Sequence, residues 1–359
     1  MEYKPFYYQQ YAENFVIQNK QAGLFLDMGM GKTAITLSAL HELKFDYFDI
    51  NKTLVIAPLQ PAKDTWPKEI EKWNHTKEFT YSLILGPEKN RLQALHKEVD
   101  IYIINRENVP WLVKYYKNKW PFDMVVIDEL SSFKSNSAVR FKALRKVRKH
   151  IHRIIGLTGT PTPNGLIDLW PQVYLLDEGE RLGKTITGYR NKYFLPDKRN
   201  ATTIFSWKLK EGSEQEIYSQ LDDLCVSMKS ADYLKLPERR SIQHLVELPV
   251  KAMDTYNQLE KDLFLPFKDG DIDAGSAAVL TNKLLQVAGG RVYGENRNIE
   301  KIHSAKLEKL EQLIDEANGQ PVLIFYNYQH ECDQIMEKYP EARRIKEDEA
   351  VIDWNNGDC

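Results

Sequence analysis

Asp27-Met-Gly-Met-Gly-Lys-Thr33 stands between an apolar run, Ala22–Leu26, and a stretch with helical periodicity, Ala34–Leu40. A buried strand, a glycine-rich turn ending in Lys-Thr and a helix form the arrangement that holds the phosphates of a nucleotide. The glycines let backbone N–H groups turn inward, and the helix N-terminus adds partial positive charge. Lys32 would reach the β- and γ-phosphates, and the Thr33 hydroxyl would bind Mg²⁺.

The composition places the chain in a broad class. Its 359 residues, 42% hydrophobic and 28% charged, fit a globular protein of two or three domains. The three cysteines lie far apart and form neither a disulfide framework nor a zinc-ligand pattern, so a reducing, cytoplasmic location is expected. We expect neither a signal peptide nor a membrane partner, because no apolar run approaches membrane-spanning length.

Residues 1–169 alternate short apolar runs with longer amphipathic stretches. The runs are rich in Val and Ile and nearly continuous, which is typical of strands buried on both faces of a parallel sheet. Six strands are predicted: Gly23–Leu26, Thr53–Ala57, Tyr81–Leu85, Asp100–Ile104, Met124–Ile127 and Ile154–Leu157. With helices between them, this layout predicts an α/β fold with a parallel, doubly wound sheet.

The remainder of the chain has a different pattern of apolar and polar residues. Residues 170–302 are mostly polar with helical periodicity, as in Glu214–Met228 and Val250–Leu265, and predict a mainly helical insertion. Residues 303–359 predict the beginning of a second α/β domain, with a helix, a buried strand and a helix over Ser304–Ala317, Gln320–Phe325 and Gln329–Tyr339. The sequence therefore predicts three parts, with boundaries near 169 and 302.

Two more polar loops follow predicted strands of the first part. Asp128-Glu129 ends an apolar strand, and in P-loop NTPases an Asp in that place holds Mg²⁺ while an adjacent Glu can take a proton from the attacking water. Leu157-Thr-Gly-Thr-Pro161 ends another. Because the carboxyl ends of parallel strands lie at one edge of a sheet, the three loops are expected to converge.

This ordered set resembles the motifs of superfamily 2 helicases and translocases, specifically the SNF2-like group and its phage or bacterial members. Motif I of that group lacks the earlier glycine of the common phosphate-loop pattern, as this chain does at position 26. The matching stretches are Tyr8-Gln9 (Gln motif), Asp27–Thr33 (motif I), Leu54–Leu59 (Ia), Ile103–Glu107 (Ib), Asp128–Ser131 (II), Leu157–Pro161 with Asn164 (III) and Val322–Asn327 (IV). The resemblance implies a RecA-like P-loop NTPase domain followed by the start of a second RecA-like domain.

The resemblance also implies ATP and Mg²⁺ as cofactors and assigns roles to residues. The nucleotide would be bound by Gln9, Met28, Gly29, Met30, Gly31, Lys32 and Thr33, with Gln9 at the adenine. Thr33 and Asp128 would hold Mg²⁺, and the catalytic residues would be Lys32, Asp128 and Glu129, the last activating water. Thr158, Gly159 and Thr160 would couple the state of the nucleotide to the grip on nucleic acid.

Contacts with the nucleic-acid backbone are implied for Pro58, Leu59, Asn105 and Arg106, and Lys134 with the basic helix after it is a further candidate. Residues 131–165 hold eight Lys or Arg and no acidic residue. This run is either a nucleic-acid-binding face or the solvated side of a helix whose apolar stripe faces the core. Trp66 likewise either stacks on a base or belongs to the core.

The implied function is a DNA-dependent ATPase that acts on double-stranded DNA in preference to single strands, as a monomer in a bacterial cell or phage-infected host. Motifs V and VI of the group are not found, so the chain is expected to be part of a longer protein. Slow turnover is expected as well, because an arginine such as motif VI supplies can be worth about 10³–10⁵ in rate. The alternatives are a nucleotide-dependent nucleic-acid-binding module without turnover, an RNA helicase of the same superfamily and, more distantly, a small-molecule P-loop kinase.

Overall fold

The computed structural model describes residues 1–162, 165–200, 204–234, 241–264, 274–293, 299–345, 350–351, 353–354 and 357. Asn164 lies outside these residues. The chain divides into two compact units, Met1–Pro237 and Glu238–Cys359. The predicted boundaries near 169 and 302 stay predictions. None of the described helices is long and apolar enough to cross a membrane.

The first unit contains nine described strands and ten described α-helices. The strands are β1 (Gln21–Leu26), β2 (Thr53–Ala57), β3 (Tyr81–Ile84), β4 (Ile101–Asn105), β5 (Met124–Asp128), β6 (Arg153–Thr158), β7 (Phe194–Pro196), β8 (Trp207–Leu209) and β9 (Cys225–Met228). The helices are α1 (Tyr7–Gln18), α2 (Lys32–His41), α3 (Trp66–Lys72), α4 (Glu88–Leu95), α5 (Val109–Tyr116), α6 (Val139–Val147), α7 (Leu169–Asp177), α8 (Ile186–Tyr193), α9 (Ser213–Ser219) and α10 (Ser230–Tyr233).

Seven of these strands form one parallel sheet in the order β3-β4-β2-β5-β6-β1-β9. All six predicted strands of the sheet are confirmed, to within two residues at each end. The packing of β2 shows why these strands are apolar at nearly every position. Leu54 and Ile56 enter the core under α5 to α8, whereas Val55 and Ala57 enter the core under α1 to α3. A strand covered on both faces needs apolar side chains at every position.

The seventh strand, β9, was not predicted. The helix predicted over Glu214–Met228 is confirmed for α9 and wrong after it, because Cys225–Met228 pairs in parallel with β1. Val226 and Met228 are buried and Ser227 is exposed, so the run alternates with the period of a strand. Four residues are too short for that period to outweigh the preceding helical pattern, and the pairing with β1 decides the structure.

The second unit contains four described α-helices and one antiparallel strand pair. They are α11 (Val250–Phe264), α12 (Ala274–Ala288), β10 (Arg291–Tyr293), β11 (Ile299–Lys301), α13 (Ala305–Glu316) and α14 (Gln329–Lys338). The predicted strand over Gln320–Phe325 is wrong, since this segment forms no strand and Phe325 is 87% exposed. A strand needs a hydrogen-bonded neighbour, and no strand among the described residues pairs with it.

Two acidic side chains meet where α1 packs on α2. Glu13 is buried on α1, and burial together with the nearby Glu42 raises the pKa of Glu13 to about 7. A folded-state pKa above the unfolded one means that the folded protein binds a proton that the unfolded chain has released. This contribution to stability is intact near pH 4.5 and is lost as the pH rises through 7.

We therefore expect Glu13→Gln to raise the free energy of unfolding by about 1–3 kcal/mol at pH 8 and to change it little near pH 5. Urea unfolding at the two pH values measures the difference. Glu98→Gln, on an exposed side chain, is the control and should have no pH-dependent effect. An equal effect of Glu13→Gln at both pH values would contradict the prediction.

Candidate functional site

The order β5-β6-β1 within the sheet places three polar loops side by side at its carboxyl edge. Asp27–Thr33 follows β1, Thr158–Thr160 ends β6 and Asp128-Glu129 ends β5. A Cβ added at Gly159 would lie 3.4 Å from the Leu26 carbonyl oxygen and 3.8 Å from Lys32 Nζ. The predicted convergence of the loops is therefore present, and Gly159 allows two of them to pack closely.

The loop after β1 has the backbone of a phosphate cradle. Gly29 and Gly31 have φ values of 80° and 81°, in the left-handed region that glycine adopts without strain. Gly31 is also the N-cap of α2, whose first turn carries N–H groups without intrahelical partners. Thr33 lies half-buried in that turn. This geometry favours an anion at the N-terminus of α2.

Lys32 places its ammonium group over this loop. Its Nζ donates hydrogen bonds to the carbonyl oxygens of Leu26, at 2.7 Å, and Asp27, at 3.0 Å. Burial lowers the pKa of Lys32, and the nearby charges of Asp128, Glu129 and Asp27 act against that shift. The cation is thus held between the loop and the two carboxylates, where it can meet a bound phosphate.

Asp128 is a half-buried carboxylate that is hydrogen-bonded to a core side chain. Its Oδ2 accepts a hydrogen bond of 3.0 Å from the indole N–H of Trp66, which is fully buried on α3. Burial raises the pKa of Asp128, the Trp66 hydrogen bond opposes the rise, and the nearby Glu129 charge adds to it. Of the two interpretations of Trp66, the core position is confirmed, and its bond to Asp128 was not predicted.

Glu129 adopts a left-handed backbone conformation, with φ at 57° and ψ at 62°. A residue other than glycine rarely does so, and such conformations are concentrated at functional sites. Its Oε1 accepts hydrogen bonds from the hydroxyls of Ser131 and, at 3.2 Å, Thr158. The Thr158 hydroxyl in turn accepts the N–H of Thr160 at 3.1 Å. The loop after β6 is therefore bonded directly to Glu129.

The predicted Gln motif lies against the same loop. Gln9 Nε2 donates to the Met30 carbonyl at 3.2 Å, and the Tyr8 hydroxyl donates to the same oxygen at 3.3 Å. The side-chain oxygen of Gln9 accepts the N–H of Phe6 at 2.9 Å. Met30 is itself fully buried in the core, whereas Met28 is 82% exposed. Helix α1 is thus tied to the loop through the Met30 backbone.

Ser230 is a contact that the sequence did not reveal. Its backbone N–H and its hydroxyl both donate to Asp27 Oδ2, at 2.8 and 3.2 Å. Ser230 begins α10, shortly after the end of β9, and lies 203 residues from Asp27 in the chain. No local pattern signals a contact of this separation.

The predicted nucleic-acid contacts lie at or after the ends of β2, β4 and β5, which are neighbours in the sheet. Leu59 is 56% exposed and Pro58 is half-buried. Glu107 accepts hydrogen bonds from Asn105 Nδ2 at 3.0 Å and Arg106 Nε at 2.9 Å. Burial acts to raise the pKa of Glu107, but these bonds outweigh it and leave the pKa below its usual value.

Lys134, after β5, is exposed, and its Nζ lies 3.9 Å from Asp168 Oδ2. The apolar stripe of α6 faces the core, as expected for its residues Phe141, Leu144 and Val147. All five candidates therefore occur at the carboxyl edge of the sheet, the edge that also carries the phosphate loop.

These features define a P-loop nucleotide-binding α/β domain. The sequence model of the SNF2-related domain matches residues 8–309. The chain belongs to this family.

Individual relatives agree with this assignment. The chain is similar to putative protein p41 of Acyrthosiphon pisum secondary endosymbiont phage 1, with 37% identity over 98% of this chain and 78% of that protein. It is 24% identical to the putative ATP-dependent helicase/translocase YwqA of Bacillus subtilis, over 89% of this chain but only 35% of YwqA. The fold is similar to that of the Sulfolobus solfataricus SWI2/SNF2 ATPase core in complex with dsDNA, with a TM-score of 0.55, 20% identity and coverage of 98% of this chain and 75% of that one.

Proposed function

We propose that this chain is the ATP-hydrolysing part of a motor that acts on double-stranded DNA. The observation that carries the proposal is the arrangement of Lys32 over the glycine loop, with Asp128 and Glu129 nearby at the end of β5. Membership of the SNF2-related family supports the use of ATP. The dsDNA-bound Sulfolobus relative supports the choice of DNA.

Each part of the site would have a distinct task. The N–H groups at the start of α2 and the Lys32 ammonium would bind the phosphates, and Gln9 would face the adenine. Thr33 and Asp128 would hold Mg²⁺, which when bound adds positive charge next to the phosphates. Glu129, oriented by Ser131 and Thr158, would accept a proton from the attacking water.

The hydrogen bond between Thr158 and Glu129 would couple the state of the nucleotide to the grip on nucleic acid. A shift of the loop after β6 would change the orientation of the catalytic carboxylate, and a change at the carboxylate would move the loop. The implied backbone contacts after β2, β4 and β5 lie at the same edge of the sheet. Such contacts would position a duplex without recognising its sequence.

Binding of a fluorescent ATP analogue and steady-state ATP hydrolysis test the proposal. Binding that requires Mg²⁺, together with hydrolysis that duplex DNA stimulates more than single strands or duplex RNA, is the expected result. The assay also measures the slow turnover expected from the sequence. Failure to bind ATP would overturn the proposal, and stimulation by RNA alone would favour the RNA helicase. The proposal includes a monomer in the cytoplasm, which light scattering and cell fractionation would check.

Trp66→Phe should shift the pH dependence of hydrolysis. The indole N–H favours the charged form of Asp128, so its loss should raise the pKa of Asp128 further. Because the proposed Mg²⁺ ligand must be deprotonated, the acid limb of the rate profile should move to higher pH. Rates near pH 8.5 should change little by comparison.

Trp73→Phe is the matched control. Trp73, at the end of α3, donates its indole N–H to Glu69 at 2.8 Å, away from Asp128. An identical displacement of the acid limb in both variants would show that the Trp66 hydrogen bond does not tune Asp128.

A further inference from the structure

Helices α5 and α6 pack side by side and leave a groove of about 550 Å³ between them. Four lysines line this groove, the lysine groove. Lys114 and Lys117 come from α5 and its C-terminal cap, and Lys142 and Lys146 come from α6. All four are exposed, and the lining residues that the structure describes include no Asp or Glu. The groove therefore concentrates four positive charges.

The charges of the lysine groove are not neutralised within the part of the chain that the structure describes. None of the four lysines has a hydrogen bond or ion pair from its side chain there. Like charges at helical spacings of three and four residues repel one another. An anion bound between the helices would relieve that repulsion.

The arginines of the basic run over residues 131–165 differ from these lysines, because each of them has a hydrogen-bond partner. Their partners are the Ser132 carbonyl for Arg140, the Tyr174 hydroxyl for Arg145, the Leu175 carbonyl for Arg148 and the Asn19 carbonyl for Arg153. Arg148 and Arg153 are also buried. The basic run thus contains two classes of side chain, and Lys142 and Lys146 belong to the class that remains available.

The charge of the groove, rather than its apolar surface, favours phosphates as the occupant. Three of its apolar lining residues, Val113, Ala143 and Val147, are each less than a tenth exposed, whereas Val139 is 71% exposed. All the charged side chains that the structure describes in the lining are lysines. Four ammonium groups without a counter-charge are suited to a nucleic-acid backbone, which is negatively charged throughout its length.

The groove also begins where the implied nucleic-acid contacts lie. α5 and α6 run back from the carboxyl edge of the sheet, since each connects two parallel strands. Pro110 and Val139, in their first turns, line the groove at that edge. Arg106 precedes α5 and Lys134 precedes α6 by a few residues. A duplex held at the edge could therefore continue onto the helices.

We propose that the lysine groove is a second binding site for the DNA backbone, on the α5–α6 face of the first unit. This inference rests on the proposed action on DNA. It extends the DNA contact beyond the loops at the edge of the sheet. Each lysine that neutralises a phosphate adds about 0.9 to the slope of log affinity against log salt concentration.

The test replaces all four groove lysines by Gln and measures the affinity for a random duplex of about 30 base pairs by fluorescence anisotropy across about 50–300 mM salt. We expect weaker binding and a salt slope smaller by about 2–4. The matched control replaces Lys20, Lys77, Lys198 and Lys208, which are exposed lysines of the same unit, and should leave the slope within about 1 of the wild type. A quadruple Lys→Arg variant of the groove keeps the charge and should retain the slope. Circular dichroism and ATP-analogue binding verify that each variant is folded.

The outcomes separate this inference from the proposed function. If the wild type and the groove Gln variant bind duplex with the same slope, the groove inference is overturned and the proposed function stands. If the wild type binds ATP but no duplex, action on DNA is itself overturned. Groove-dependent binding of polyglutamate with groove-independent binding of duplex would assign the groove to an acidic protein segment and overturn the DNA proposal.

Discussion

Replacement of Glu129 by Gln should lower DNA-stimulated ATP hydrolysis by about 10²–10⁴-fold while ATP binding changes less than about threefold. Gln keeps the size of Glu and an oxygen that can accept the hydrogen bonds from Ser131 and Thr158. It cannot accept the proton of the attacking water. The chemical step is lost and the bound nucleotide should accumulate unhydrolysed.

A Thr158→Val variant separates this role from the orientation of the carboxylate. It removes the 3.2 Å hydrogen bond to Glu129 but keeps the acid, so the loss of rate should be smaller than for Glu129→Gln. Single-turnover hydrolysis and equilibrium binding of an ATP analogue provide the two readouts. Unchanged turnover in Glu129→Gln would contradict the assignment. Wild-type binding without measurable turnover under any condition would favour the non-enzymatic binding module.

Lys32→Ala should weaken ATP binding by about 10- to 100-fold, because hydrogen bonds to charged groups contribute about 1.5–3 kcal/mol. The variant also removes the donor that bridges the carbonyl oxygens of Leu26 and Asp27. The effect should appear in the dissociation constant of a fluorescent ATP analogue, with hydrolysis falling in parallel at low ATP.

Lys20→Ala is the control for Lys32→Ala. Lys20 directly precedes β1, is exposed, and lies at the opposite end of the strand from the phosphate loop. It should bind ATP as the wild type does. Thermal melting of both variants distinguishes a lost phosphate contact from a damaged fold. Wild-type affinity in a folded Lys32→Ala protein would exclude Lys32 as a phosphate ligand.

Much of the site could be predicted because its signals are local. The phosphate loop lies within five residues, since it contains Gly29, Gly31, Lys32 and Thr33. Each of the two later loops stands where an apolar strand ends. The rule that parallel strands share a carboxyl edge then brings the loops together without a structure. The hydrogen bonds within the site could not be predicted from the sequence. Trp66 was expected in the core or against a base, and its hydrogen bond to Asp128 depends on how α3 packs.

The sequence by itself determined the strand–loop–helix unit at Asp27–Thr33, six strands of the parallel sheet and the family, because these depend on residue type and short-range periodicity. Only the tertiary structure decided three other features. β9 joined the sheet beside β1, Ser230 reached Asp27, and the lysines of α5 and α6 came to line one groove. Each of these joins segments distant in the chain, and packing, rather than local propensity, determines which distant segments meet.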